Sequence, residues 1–297
     1  MKILVLTPDW KLPWQKLVPD YLKIRGHTVG VAIHGVNGFD PDVVLHMWSN
    51  GYTRPEHFPN AKNIFYMRRY EFFEPEWRKI DWNKVDHMVF VNSFIKKAVE
   101  DWFKENDINI PTSLIYNSVD TKKWTFKERT FNNNIGMVCF IHPKKNLTLA
   151  AQVLAALPSK YSLHLAGACQ DWALLEYINH ICHESHRKFY WYGRLKFEML
   201  DSWWDMMDCC LSVSMSEGNP NNVIEAMAKG IKPVVHNWPG AIDQFPEECV
   251  FNTVESACQI IQNDDYDSSK YRQWAEDRYS LKNYDQMYDI IKQVTAQ

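Results

Sequence analysis

Residues 211–240 read LSVSMSEGNPNNVIEAMAKGIKPVVHNWPG, and this stretch decides the fold. A short apolar run suits a strand buried on both faces, a polar turn follows, then a helix, then a second apolar strand over 233–236. The helix is expected to take Asn219 as its N-cap, Pro220 at its first position and Gly230 just past its end. In an open parallel sheet, ligands sit beyond the carboxyl ends of the strands. A helix N-terminus there offers free N–H groups and a partial positive charge to a phosphate, and Gly218 lets that backbone come close. Two carboxylates flank the turn, Glu217 before it and Glu225 eight residues later in the helix. An anion-attracting turn is a poor place for them to meet phosphate, so their targets are hydroxyls.

Working outward, the same alternation fills the chain. Strands are expected over 2–7, 29–33, 43–47, 64–67, 87–91 and 113–116, with a helix ending near Gly26 and another from Ser93, as N-cap, to 106. Residues 121–134, TKKWTFKERTFNNN, have no period of either kind and read as a linker. The pattern then restarts, with strands over 135–141, 161–166, 189–191, 211–214 and 233–236 and helices between them. The expected organisation is therefore α/β: a Rossmann-like domain over 1–120, the linker, a second Rossmann-like domain over 135–265, and a tail over 266–297, helical from 268, that packs back on the first domain.

Length and composition agree with two domains. The chain has 297 residues, 46% hydrophobic and 23% charged, which is enough apolar material for two cores. Its net charge of −3 divides into 19 Lys and Arg against 16 Asp and Glu over 1–130, and 14 against 20 beyond. That offset is too weak to announce nucleic-acid binding. The seven cysteines are odd in number and show no CxxC, which excludes a disulfide framework and a zinc module. His180, His183 and His186 step around a helix by about −60° each, so with Cys182 they form no metal site. The opening ILVL run is stopped by Pro8 and Asp9, too short for a secretory signal, and the expected location is cytoplasmic.

Within the quoted stretch, EGNPNNVIEAMAKGIKPVV resembles the Glu-x7-Glu signature of the retaining family 4 glycosyltransferases of the GT-B fold. Further segments are similar to that family: GHTV at 26–29, FDPDVVLH at 39–46, VNSFIKKAV at 91–99, IYNSVD at 115–120 and YGRL at 192–195. The resemblance implies two Rossmann-like domains whose parallel sheets face a central cleft. It makes Glu217 and Lys145 the catalytic residues, Glu217 on the hydroxyls of the donor sugar and Lys145 on the donor diphosphate, with Lys144 as the alternative cation. Glu225 would hold the nucleotide ribose, and Gly193, Arg194 and Leu195 would lie against the nucleobase or, through Arg194, the phosphates. Gly218, Asn219, Asn221 and Asn222 would complete the donor site. No metal and no cofactor are implied; the donor is a nucleoside-diphosphate sugar, UDP or GDP foremost.

The chain also departs from the family. Cys139-Phe140-Ile141 stands where an Arg is usual, Met67 where many members carry a functional His, Asn219 where an aromatic is common, and the loop at 8–15 lacks paired glycines. On the acceptor side, Trp10, Trp14, Trp48 and Tyr52 offer stacking surfaces, and Arg68 and Arg69 offer charge. A glycan or glycolipid is the leading acceptor, with peripheral membrane contact; the alternatives left open are a modified DNA base, a catalytically silent nucleotide-sugar-binding or partner protein, and a sugar-nucleotide epimerase.

Overall fold

The computed structural model describes residues 1–7, 13–33, 38–49, 54–129 and 132–296. The chain divides into two units, Met1–Ser118 with Leu281–Gln297, and Val119–Ser280.

The first unit holds β1 (Lys2–Leu6), α1 (Pro13–Ile24), β2 (Thr28–Ala32), β3 (Val43–His46), β4 (Lys62–Met67), α2 (Arg69–Phe72), β5 (His87–Phe90), α3 (Ser93–Glu105) and β6 (Thr112–Leu114). Among the described residues its strands form one parallel sheet in the order β2-β1-β3-β4-β5-β6. A strand buried on both faces sends successive side chains to opposite layers. In β4, Ile64 and Tyr66 join one core with Ile3, Val5, Val43 and Leu45, while Phe65 and Met67 join another with Trp77, Trp82, Phe90 and Phe103. The first layer is closed from the far end of the chain by α10 (Asn283–Thr295), through Met287, Ile290, Ile291 and Val294.

The second unit holds β7 (Asn134–Val138), α4 (Leu147–Ala156), β8 (Ser162–Ala166), α5 (Trp172–Glu184), β9 (Lys188–Trp191), α6 (Phe197–Trp204), β10 (Cys209–Ser212), α7 (Asn221–Ala228), β11 (Lys232–His236), β12 (Val250–Phe251), α8 (Val254–Gln262) and α9 (Ser268–Tyr279). Its sheet, also parallel, runs β9-β8-β7-β10-β11-β12. That is the Rossmann order, with the direction of winding reversing between β7 and β10. One face is covered by α4, α5 and α8. On the other, Gly136 leaves room for α6: a Cβ there would stand 2.8 Å from the Trp204 ring and 2.7 Å from Met207. No helix among the described residues is long and apolar enough to cross a membrane.

Four expectations are corrected. The N-cap of α3 is Asn92, whose backbone is still extended and whose Oδ1 accepts from Ile95 N–H at 3.1 Å; Ser93 is already helical. The N-cap of α7 is Pro220, one residue later than expected, because the backbone is still extended at Pro220 and its carbonyl accepts the first helical bonds, from Val223 N–H at 3.2 Å and Ile224 N–H at 3.4 Å. The stretch 121–129 is not a free linker but is pinned to the second unit. Thr125 N–H and Lys127 bond Asp201 and Asp205, and Arg129 donates to the carbonyls of Met207, at 3.0 Å, and Lys229. Lys127 and Arg129 are held by polar partners, a form of anchoring that leaves no apolar period in the sequence. The expected single tail breaks at Ser280, where the backbone turns extended; α9 stays with the second unit through Trp274, Tyr279 and Arg272, and the first unit takes only 281–297.

The ion cluster that pins residues 121–129 centres on Lys229, wholly buried, with its ammonium 2.5 Å from Asp201 and 3.0 Å from Asp205. Burial works to raise both carboxyls, but Lys229, with Thr125 at Asp201 and Lys127 at Asp205, outweighs it and holds both below their ordinary range. Their share of stability is therefore intact above the unfolded pKa of about 4 and is lost as pH falls through the lowered values. Replacing Asp201 and Asp205 together by Ala strands a buried ammonium and is expected to cost about 3–5 kcal/mol, read as a lower urea midpoint. Lys229→Met is expected to cost less, since the two carboxylates it leaves behind retain some water; the reverse order would contradict this account.

Candidate active site

The reversal between β7 and β10 leaves a crevice at their carboxyl ends. Lys145 arrives there from the loop after β7, on a 3-10 turn that ends with Asn146 in a left-handed conformation. Glu217 arrives from the loop after β10. The two, 72 residues apart in sequence, meet with Lys145 Nζ 2.5 Å from Glu217 Oε1. Ser214 Oγ donates to the same oxygen at 2.6 Å, and the loops are tied by Met215 N–H to the Lys144 carbonyl at 3.2 Å. His236, at the end of β11, sits with Nδ1 3.2 Å from the Ser214 carbonyl, which makes Nδ1 the protonated nitrogen.

Beyond Glu217 the chain enters α7. Glu225 sits in its second turn, half-buried, with no hydrogen bond to its carboxylate among the described residues. Burial alone pushes its pKa up to about 8. Asn221 and Asn222 open the helix, where the first N–H groups point away from the helix body. Cys139, where an Arg was missed, lies within electrostatic reach of Lys145 and Glu217; burial pushes its thiol up to about 12, so it stays neutral. Lys144 contributes its backbone to the site and is carried on the same turn as Lys145.

Gly193 follows β9 with φ +65°, and its carbonyl accepts from Gly167 N–H at 2.7 Å, which seats the 193–195 loop on the carboxyl edge of the sheet. Arg194 is exposed there. Gly167 itself was not singled out from sequence. A Cβ on it would stand 1.7 Å from the Cys139 carbonyl, so the loops after β7 and β8 can approach only across a glycine. Its signal was its place directly after a strand. Ser214 and Gln244 were missed as well, because a lone Ser and a lone Gln carry no motif.

On the first unit, Trp10 and Tyr52, and the side chain of Trp14, lie outside the described residues. Trp48 is half-buried with its ring 6.4 Å from Tyr70. The two arginines have different neighbours. Arg68 donates to Asn117 Oδ1 at 2.6 Å and lines a small cavity of about 30 Å³ with Tyr66, Ser118 and Tyr284, whereas Arg69 stacks over Phe73 at 5.0 Å. His46, within the FDPDVVLH segment, is a core residue: it is wholly buried, stacked on Phe65 at 3.9 Å, and burial holds its pKa down at about 3.

Comparison with known proteins places this geometry. Residues 132–261 match the family model of Glycosyl transferases group 1. No curated protein sequence matches the chain. Among solved structures, the HepE protein of Anabaena in complex with UDP and glucose is similar at a TM-score of 0.73 and 13% identity, over 99% of this chain and 100% of that one. A glycosyltransferase of Rickettsia africae gives 0.76 and 15%, over 99% and 98%, and the sucrose-phosphate synthase of Thermosynechococcus elongatus 0.73 and 13%, over 100% and 99%. At such identities the likeness is one of fold, and it extends over the whole length of each chain. Over residues 132–261 the second unit is therefore similar to the group 1 glycosyltransferases, and the chain as a whole has the two-sheet GT-B fold.

Proposed function

We propose that the protein transfers a hexose or pentose from a nucleoside-diphosphate sugar to a hydroxyl of a glycan or glycolipid, with retention and without a divalent metal. The observation that carries this reading is the meeting of Lys145 with Glu217 at the switch point, beside the start of α7. The UDP and glucose bound to the Anabaena relative favour UDP as the donor nucleotide.

In this reading the bond between the sugar C1 and the diphosphate oxygen breaks, and the electron pair stays on the phosphate. Lys145 and the N–H groups opening α7 share the charge that develops there. The acceptor oxygen bonds to C1 on the face the phosphate leaves, and its proton passes to the departing phosphate oxygen. Glu217 orients the sugar hydroxyls, held in place by Ser214. Glu225 takes the ribose hydroxyls, which would donate to a carboxyl that has no hydrogen bond within the described residues. The first unit supplies acceptor recognition. Arg68 and Arg69, engaged with Asn117 and Phe73, suit a glycan or glycolipid better than a DNA base. A catalytically silent nucleotide-sugar binder is the second reading, favoured by the neutral Cys139 in place of a second diphosphate cation.

Three measurements test the assignment. Lys145→Ala is expected to slow transfer about 100-fold, the loss of roughly 3 kcal/mol of leaving-group stabilisation, in assays with a panel of UDP- and GDP-sugars. Glu217→Gln releases Lys145 from its ion pair, so calorimetry should find free UDP bound as well as before or more tightly while transfer is lost; equal loss of both would remove Glu217 from the sugar subsite. Glu225→Ala is expected to weaken UDP by about 1–3 kcal/mol. Because the Glu225 pKa is raised on folding, its contribution to stability falls as pH climbs from about 4.5 to about 8. Without ligand, Glu225→Gln should therefore melt with the parent at pH 4 and above it at pH 9.

A further inference from the structure

The turn that carries Gly218 and Asn219 is gripped from behind by one side chain. Gln244 lies between β11 and β12 and is wholly buried. Both ends of its amide are used: Oε1 accepts from Asn219 Nδ2 at 2.6 Å, and Nε2 donates to the Gly218 carbonyl at 2.8 Å. Its backbone is anchored in turn. The Gln244 N–H donates to the Ala241 carbonyl at 2.9 Å, and the Gln244 carbonyl accepts from Trp274 Nε1 at 3.0 Å and from the Tyr279 hydroxyl, both on α9.

We propose that Gln244 is a positioning residue for donor binding, one that sets the orientation of the Gly218–Asn219 peptide and, through it, the aim of Glu217 and of the start of α7. The inference rests on the donor-site reading above. In a trans peptide the N–H points opposite to the C=O. With the Gly218 carbonyl turned inward to Gln244, the Asn219 N–H is turned to the opposite side, and the residues on either side of the plane follow it. Glycine at 218 has no side chain to resist another orientation, so loss of the amide widens the range of orientations open to this peptide. Only a group that both accepts and donates can serve the Asn219 amide and the Gly218 carbonyl at once. Glutamine is the residue that does so at this length.

The amide's dual role defines the test. In Gln244→Glu the carboxylate still accepts from Asn219 but sets an anionic oxygen against the Gly218 carbonyl. Protonation restores a donor, and burial raises the pKa of such a carboxyl. Calorimetry with free UDP, comparing variant and parent at each pH, should find the variant about tenfold weaker at pH 8 and within about twofold of the parent at pH 5.5. Gln244→Met, similar in volume and without hydrogen bonds, should be weaker than the parent by a ratio that does not change with pH. A variant-to-parent ratio for Gln244→Glu that is flat with pH, or UDP affinity in both variants equal to the parent's, overturns the proposal. If Gln244→Glu does not fold above pH 7 by tryptophan fluorescence, Gln244→Met decides, and parental affinity in it is the overturning result. Failure of the parent itself to bind UDP or GDP would instead overturn the donor-site reading, and this proposal with it.

Discussion

A parallel sheet shows no face to water, so each sheet must be covered twice, and its loops are left as the place where polar chemistry can gather. Both units meet this requirement differently. In the second, α4 and α5, which connect consecutive strands, and α8, which follows the last one, cover one face, and on the other Gly136 gives way so that Trp204 of α6 can lie close. In the first, part of the cover comes from α10, which returns from the end of the chain to set Met287, Ile290, Ile291 and Val294 against β1, β3 and β4. With strands so enclosed, Lys145, Glu217 and the 193–195 loop all fall on one edge of one sheet.

Two of the close lysine–carboxylate clusters of the second unit differ in burial. Lys229 is wholly enclosed, bonded to Asp201 and Asp205, with Lys127 and Arg129 drawn in around them. It ties residues 121–129 and α6 to the end of α7, and it has no open side for a ligand. Lys145 and Glu217 keep part of their surface, 27% and 14% of the side chains, and lie where the strand order reverses. Under the proposed function this ion pair is the one that would be exchanged for phosphate and hydroxyl. Glu225 has no hydrogen bond to its carboxylate among the described residues, and burial pushes its pKa up to about 8.

Much of this was legible in the chain. The period of apolar residues placed most strands and helices to within two or three residues, because a two-sided sheet and its helices leave strong patterns. The strand, turn and helix around the Glu-x7-Glu stretch were legible too, since a strand, a turn with glycine and a helix start are local events. The errors were also local. Asn92 and Ser93 both cap well, and only the bond to Ile95 N–H decides between them. Asn219 looked like a cap, and only the bonds from Val223 and Ile224 N–H to the Pro220 carbonyl decide against it.

The sequence by itself determined two α/β units, the turn that bears Glu217, and the helix that bears Glu225, for each follows from neighbours a few residues apart. Only the tertiary structure decided that Lys145 meets Glu217, that residues 121–129 belong to the second unit, that α9 and α10 part at Ser280, and that Gln244 holds the Gly218 peptide. These are pairings of polar groups over 25 to 148 residues of chain. A single lysine, glutamine or charged run has many partners open to it in sequence, and the sheet order alone selects which of them come within hydrogen-bonding distance.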